Sequence, residues 1–143
     1  MEALGAAASV IAVIQISASV FDVCRTYYTA VKDARKDILR LQSELRDLES
    51  VLTSVADLAD ADDSESLSTL QTMIRPEGPI SQCREELERL LLKLQFGHGD
   101  AEMTRFGARA LKWPLKSKEI DKVVAVIERH KSLFELALTA DQM

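Results

Sequence analysis

Two cysteines and two histidines are the residues of this chain whose types most often bind metal ions or act as nucleophiles. They are Cys24, Cys83, His98 and His130. A zinc site built from all four would need ligands from four separate segments, and no pair has the short spacing usual for such ligands. Both cysteines lie in segments of apolar periodicity, so we expect them to be small core residues in a reducing compartment. We expect His98 in a loop and His130 at an exposed or half-buried position.

Other signatures of catalysis are missing from the sequence. It has no glycine-rich phosphate loop, no paired-histidine metal motif and no nucleophile elbow. The sequence therefore predicts a protein that is not an enzyme, and it implies no metal, nucleotide or redox cofactor.

A cluster of basic residues near the C-terminus has the chemistry to hold anionic groups. Its members are Arg105, Arg109, Lys112, Lys116 and Lys118, beside Phe106 and Trp113. Such a cluster gains roughly 1 kcal/mol per basic residue near anionic lipid head groups, and tryptophan is frequent at membrane interfaces. The alternative is a solvated basic face with Trp113 packed against the protein. A net charge of −5 argues against general binding to nucleic acid.

An acidic segment lies in the middle of the chain, at Asp57, Asp60, Asp62, Asp63 and Glu65. It lacks the glycine and the terminal glutamate of a calcium-binding loop. A solvated turn is the simpler interpretation, and pairing with the basic cluster of a neighbouring subunit is the alternative.

The composition predicts the elements that position these groups. The chain has 143 residues, of which 47% are hydrophobic and 5% aromatic, with only 5 Gly and 3 Pro. Few residues interrupt helices, and strand-forming residues are scarce. The prediction is one all-α domain over residues 1–143, a helical bundle of four long helices and one or two short ones.

The apolar spacing gives approximate bounds for each helix. The clearest signal is a heptad stripe in the second long helix, formed by Ile38, Leu41, Leu45, Leu48, Leu52, Val55 and Ala59. It extends back to Tyr27, so that Asp33 is either a helix N-cap or a kink. Pro79 is expected at the first position of a helix, after Gly78. The predicted helices are 3–32, 34–59, 67–74, 79–96, 101–112 and 117–140.

The first helix carries no charge between Ala3 and Val20. A secretory signal is disfavoured because the only charge before this run is Glu2 and no basic residue precedes it. Eighteen residues of helix span about 27 Å, just short of a hydrocarbon core of about 30 Å, so a permanent membrane span is marginal. The simplest interpretation is a central bundle helix surrounded by others. The remaining interpretation is a helix that leaves the bundle and enters a membrane. Small residues such as Gly5 and Ser9 favour it, because they permit close packing between helices in lipid.

Three segments, in order, resemble a known family. "ALGAAASVIAVIQISASVFDV", "VKDARKDILRLQSELRDLESVL" and "LKWPLKSKEIDKVVAVIERHKSLFELALTAD" are similar to the HeLo-like N-terminal helical domains of fungal STAND, or NLR-like, receptors. Such domains are related in fold to the four-helix bundle of the mixed-lineage kinase-domain-like necroptosis protein. The resemblance implies a domain at the N-terminus of a longer receptor, followed by nucleotide-binding or repeat domains.

The resemblance also implies a function. HeLo-like domains act in programmed cell death, heterokaryon incompatibility and fungal innate immunity, and they are thought to oligomerise and then permeabilise the plasma membrane through the N-terminal helix. Transferred to this chain, the protein would be cytoplasmic at rest and would release residues 1–21, with Glu2 at a pore mouth and Gly5, Ala8, Ser9 and Ala12 along a helix seam. The candidate membrane-inserting residues are Glu2, Leu4, Gly5, Ala8, Ser9, Val10, Ile11, Ala12, Val13, Ile14 and Ile16.

A second hypothesis belongs to a different class. The heptad stripe of residues 27–59 can serve a partner helix as readily as a core. The alternative is therefore a passive adaptor that joins other chains through helix contacts and has no membrane activity.

Overall fold

Five helices account for nearly all of the chain that is described. The computed structural model describes residues 2–31, 34–59, 68–98 and 113–142. The helices are α1 (Glu2–Ala30), α2 (Arg35–Ala59), α3 (Ser68–Met73), α4 (Pro79–His98) and α5 (Ser117–Gln142). No strand occurs in these ranges, and the all-α prediction is confirmed. The predicted cap at Asp33, the acidic turn at 60–65 and the helix at 101–112 lie outside the described residues.

The heptad stripe of α2 forms the centre of the core. All seven stripe residues from Ile38 to Ala59 are buried, as the sequence predicts. Because α2 packs against both α1 and α5, its apolar side chains fill the space between them. The stripe is therefore occupied by the protein's own core.

The four long helices form a closed ring of neighbours. Helix α1 packs on α2 and α4, and α5 packs on α2, while α4 and α5 make the fewest contacts of the four neighbouring pairs. The short helix α3 lies against α5. The predicted four-helix bundle is thus observed, with one loosely packed side between α4 and α5.

Ion pairs and hydrogen bonds join α2 to α5. Lys131 Nζ lies 3.3 Å from a carboxylate oxygen of Glu44 and 3.5 Å from one of Asp47. Partial burial opposes the charge of Lys131, but the hydrogen bond with Glu44 and the nearby carboxylates raise the pKa of its ammonium group. The second link is an ion pair of Arg40 with Asp121. These polar contacts fix the α2–α5 side of the bundle.

The turn before α4 requires glycine. Gly78 N–H donates to the Arg75 carbonyl at 2.8 Å, and its own carbonyl accepts from Gln82 N–H at 3.0 Å. A Cβ at position 78 would lie 2.7 Å from the carbonyl oxygen of Thr72, closer than real Cβ atoms come. The helix then begins at Pro79, as predicted.

The cysteines and His130 occupy the interior. Cys24 and Cys83 are buried and unpaired, as predicted, and burial raises the pKa of both thiols to about 12. The prediction for His130 is wrong: only 8% of it is exposed, and its ring stacks on Phe134 with centroids 6.0 Å apart. Its charged neighbours, Arg129 and Lys131, predict a surface position for His130, but this position of the helix faces the core.

Candidate membrane-active helix and basic surface

Helix α1 has one buried face and one exposed face, although its sequence is almost uniformly apolar. Val10, Val13, Ser17 and Val20 are fully buried against the bundle. On the opposite side the exposed residues are Ala8, Ser9, Ile11, Gln15 and Ser19. Among the described helices, α2 and α4 cover one face of α1 and leave the other exposed, so the expectation that other helices surround α1 is wrong.

The predicted membrane-inserting residues divide among these environments. Val10 and Val13 are buried, Ala8, Ser9 and Ile11 are exposed, and Ala12, Ile14 and Ile16 are half-buried. The exposure of Glu2, Leu4 and Gly5 lies outside what the structure describes. One helix in the described part of the chain is long and apolar enough to cross a membrane, and only 33% of its most apolar stretch is buried. Core helices of soluble proteins, which are mostly buried, pass the same test of length and hydropathy.

Polar and aromatic contacts begin abruptly at Phe21. The Phe21 carbonyl accepts from Gln42 Nε2 at 3.3 Å, and the guanidinium groups of Arg25 and Arg46 lie over its ring, 5.8 and 5.2 Å from the centroid. Two turns later, Tyr27 Oη donates to the Leu94 carbonyl at 2.6 Å. The second half of α1 is thereby joined to α2 and α4 by directional contacts.

The stretch of α1 before Phe21 differs. Within the described residues, no side chain from Val10 to Val20 makes a hydrogen bond or ion pair with another helix. Ser17 is fully buried, yet its Oγ has no hydrogen-bond partner in the described part of the chain. Burying a hydroxyl without a partner costs roughly 1–3 kcal/mol. From Val10 to Val20, the described contacts of α1 with its neighbours are therefore apolar, and the buried hydroxyl of Ser17 opposes this packing.

The predicted basic cluster is described only in part. Lys116 and Lys118 are exposed, and Arg105, Arg109 and Lys112 lie outside the described residues. Trp113 is half-buried and meets the Tyr27 ring edge to face at 5.1 Å, so it packs against the bundle, as in the alternative interpretation.

Sequence reasoning missed two further basic residues beside this cluster. Lys122 and Arg129 are exposed on α5, four and eleven residues after Lys118. That spacing places all three on one side of the helix. The spacing is present in the sequence, but Lys122 and Arg129 lie outside the dense run of basic residues at 105–118.

The described residues contain no group of three or more His, Cys, Asp or Glu side chains arranged to hold a metal ion. What the arrangement offers is surface chemistry: an uncharged exposed face on α1 and a positively charged face on α5.

Comparison with known proteins gave one match. No curated protein and no solved structure matches this chain. A family model described as "Pigment biosynthesis cluster protein PigL N-terminal" matches residues 1–143. The match and the helical structure are consistent with a fungal N-terminal helical domain. Because this family model matches the whole sequence, the chain belongs to the family of PigL N-terminal domains.

Proposed function

We propose that this chain is a HeLo-like signalling and effector domain of a fungal NLR-like protein. It rests in the cytoplasm as the bundle described above and disrupts the plasma membrane through α1 after self-association. No catalysis is involved in this role. The family name also connects the domain to a biosynthetic gene cluster, in which such a protein would serve signalling or protection.

The observation that carries the proposal is the change in contacts along α1. Residues 10–20 are uncharged, partly exposed and make only apolar contacts with other helices in the described part of the chain, whereas Phe21 and Tyr27 are fixed by directional contacts. Moving the buried face of this segment into lipid exchanges one apolar environment for another and breaks no described ion pair. The boundary coincides with the segment 1–21 that the resemblance to HeLo-like domains implies.

The exposure of Ile11 provides a direct test. Ile11 is 44% exposed, so glutamate at this position remains hydrated in the folded bundle. In a bilayer the same charge costs about 2.5–3.5 kcal/mol near the helix centre. We therefore expect Ile11→Glu to fold normally and to lose leakage of anionic vesicles on which the protein is assembled through a C-terminal affinity tag.

Exposed leucines on other helices supply matched controls. Leu39 on α2 is 50% exposed and Leu92 on α4 is 64% exposed. Leu39→Glu and Leu92→Glu should cause as much vesicle leakage as the unmodified protein. The thermal stability of each variant is measured to check that it folds. If Ile11→Glu causes as much vesicle leakage as the unmodified protein, the proposed role of α1 in membrane disruption is rejected. If neither the unmodified protein nor any variant causes vesicle leakage, the passive adaptor hypothesis is favoured. Such an adaptor would need a surface other than the heptad stripe, because the stripe is buried in the protein's own core.

A further inference from the structure

An apolar groove lies between α4 and α5, on the loosely packed side of the bundle. It has a volume of about 140 Å³ and is open to solvent on one side. Its apolar lining consists of Leu87, Leu90, Val123, Val126 and Ile127. Leu87, Leu90 and Ile127 are almost fully buried, and Val123 and Val126 are half-buried. Apolar side chains thus make up most of the groove, and Glu86 and Lys122 complete its lining.

The apolar surface continues along α5 beyond the groove. Leu133 follows Val126 by seven residues, or two helical turns, and is therefore on nearly the same side of the helix. It is 42% exposed. The lining and Leu133 together present apolar positions at the spacing that an adjacent helix would contact.

The uncompensated charge around the groove is positive. Lys118, Lys122 and Arg129 make no ion pair within the described residues. The acidic groups nearby are already engaged: Glu86 accepts from Arg89 at 3.1 Å, and Glu119 pairs with Lys93. Glu128 instead faces α2, where it lies close to Glu44.

Shape and charge select among the occupants. A second copy docked by this same face would set three unpaired cations against three others, which is unfavourable. A bilayer is flat at this scale and would not enter a concave groove. A helix with an apolar stripe flanked by carboxylates satisfies both the lining and the rim.

We propose that the α4–α5 groove is a docking site for an acidic amphipathic helix of a partner protein. Apolar side chains of that helix enter between Leu90 and Val126, and its carboxylates meet Lys122 and Arg129. The site is on the opposite side of the ring from the α1–α2 contact, so it operates whether or not α1 enters a membrane.

Amide chemical-shift changes in the labelled protein test the proposal. The probe is a synthetic helical peptide with leucines at helical spacing and glutamates beside them. Two control peptides replace its glutamates with lysine or its leucines with serine. We expect shift changes in α4 and α5 around the groove with the acidic peptide, and far weaker ones with either control.

Charge reversal on the protein completes the test. The double variant Lys122→Glu/Arg129→Glu should weaken binding of the acidic peptide about tenfold. The matched control Lys36→Glu/Arg75→Glu reverses two exposed basic residues elsewhere and should bind normally. Circular dichroism checks that both variants fold.

Four outcomes would overturn the docking site. The first is shift changes centred away from the groove, and the second is equal binding of the lysine peptide. The third is groove shifts produced by phosphatidylserine-containing vesicles but not by the acidic peptide, which would assign the face to a membrane. A dimer in light scattering that disappears in Lys122→Glu/Arg129→Glu would assign it to a second copy.

Discussion

Ser17 is the residue at which sequence and packing disagree most clearly. Its hydroxyl lies in the core without a hydrogen-bond partner among the described residues. Ser17→Ala should therefore raise the free energy of unfolding by about 1 kcal/mol, because it removes an unsatisfied buried group. Urea unfolding followed by circular dichroism measures this change.

A nearby serine provides the control for that substitution. Ser19 is exposed, and its Oγ donates to the Gln15 carbonyl at 3.1 Å. Ser19→Ala should change stability by less than about 0.5 kcal/mol. If Ser17→Ala destabilises the protein, the hydroxyl has a partner and the N-terminal half of α1 is held more firmly than its contacts indicate. If α1 leaves the bundle during vesicle leakage, Ser17→Ala should also slow leakage.

His130 makes stability depend on pH. Burial lowers the pKa of its imidazole, which the carboxylate of Glu86 partly offsets and the positive charge of Arg129 reinforces. The unfolded chain then binds a proton more readily than the folded one, so stability is full above about pH 6.5 and falls as the pH decreases below that value.

The contribution of His130 can be isolated by substitution. His130→Gln should reduce the loss of stability between about pH 7.5 and 5.5, measured by urea unfolding. His98→Gln removes the other histidine and serves as the control. An identical pH dependence in His130→Gln and the unmodified protein would show that His130 is not the responsible group.

At the scale of the helices, Gly78 fixes where α4 begins. A methyl group there would meet the carbonyl oxygens of Thr72 and Met73, at 2.7 and 2.9 Å. These are backbone atoms, so the turn must shift to accommodate it. Gly78→Ala should cost about 1–3 kcal/mol in the free energy of unfolding.

Thermal unfolding of Gly78→Ala measures that cost. Gly107→Ala offers a comparison at a second glycine, and a loss confined to Gly78→Ala would support the close approach as its cause. A neutral Gly78→Ala would mean that the turn tolerates a side chain and that α4 starts at Pro79 for other reasons.

The helices differ in how far sequence alone predicts them. For α2, apolar and polar residues alternate at spacings of three and four, so its buried face could be identified residue by residue. For α1, no residue from Ala3 to Phe21 is charged, so the sequence contains little contrast from which to identify the exposed face. That face is decided by the positions of α2 and α4.

At the scale of the whole molecule, charge is distributed unevenly. The chain carries a net charge of −5, yet the outer side of α5 presents Lys118, Lys122 and Arg129 without described ion pairs. Composition predicts only the net value. The groove beside these residues could not be predicted at all, since it depends on the separation of two helices whose packing the sequence does not specify. The positive charge of Lys118, Lys122 and Arg129 should orient an approaching acidic partner at low ionic strength.

The two buried thiols allow the extent of α1 movement to be read directly. Cys24 lies one turn after Phe21, inside the segment fixed by directional contacts, and Cys83 lies on α4. If only the residues before Phe21 enter lipid, a maleimide should modify neither cysteine during assembly on vesicles. Modification of Cys24 with Cys83 still protected would mean that all of α1 separates from the bundle. The unmodified sequence thus contains its own reporter and its own reference.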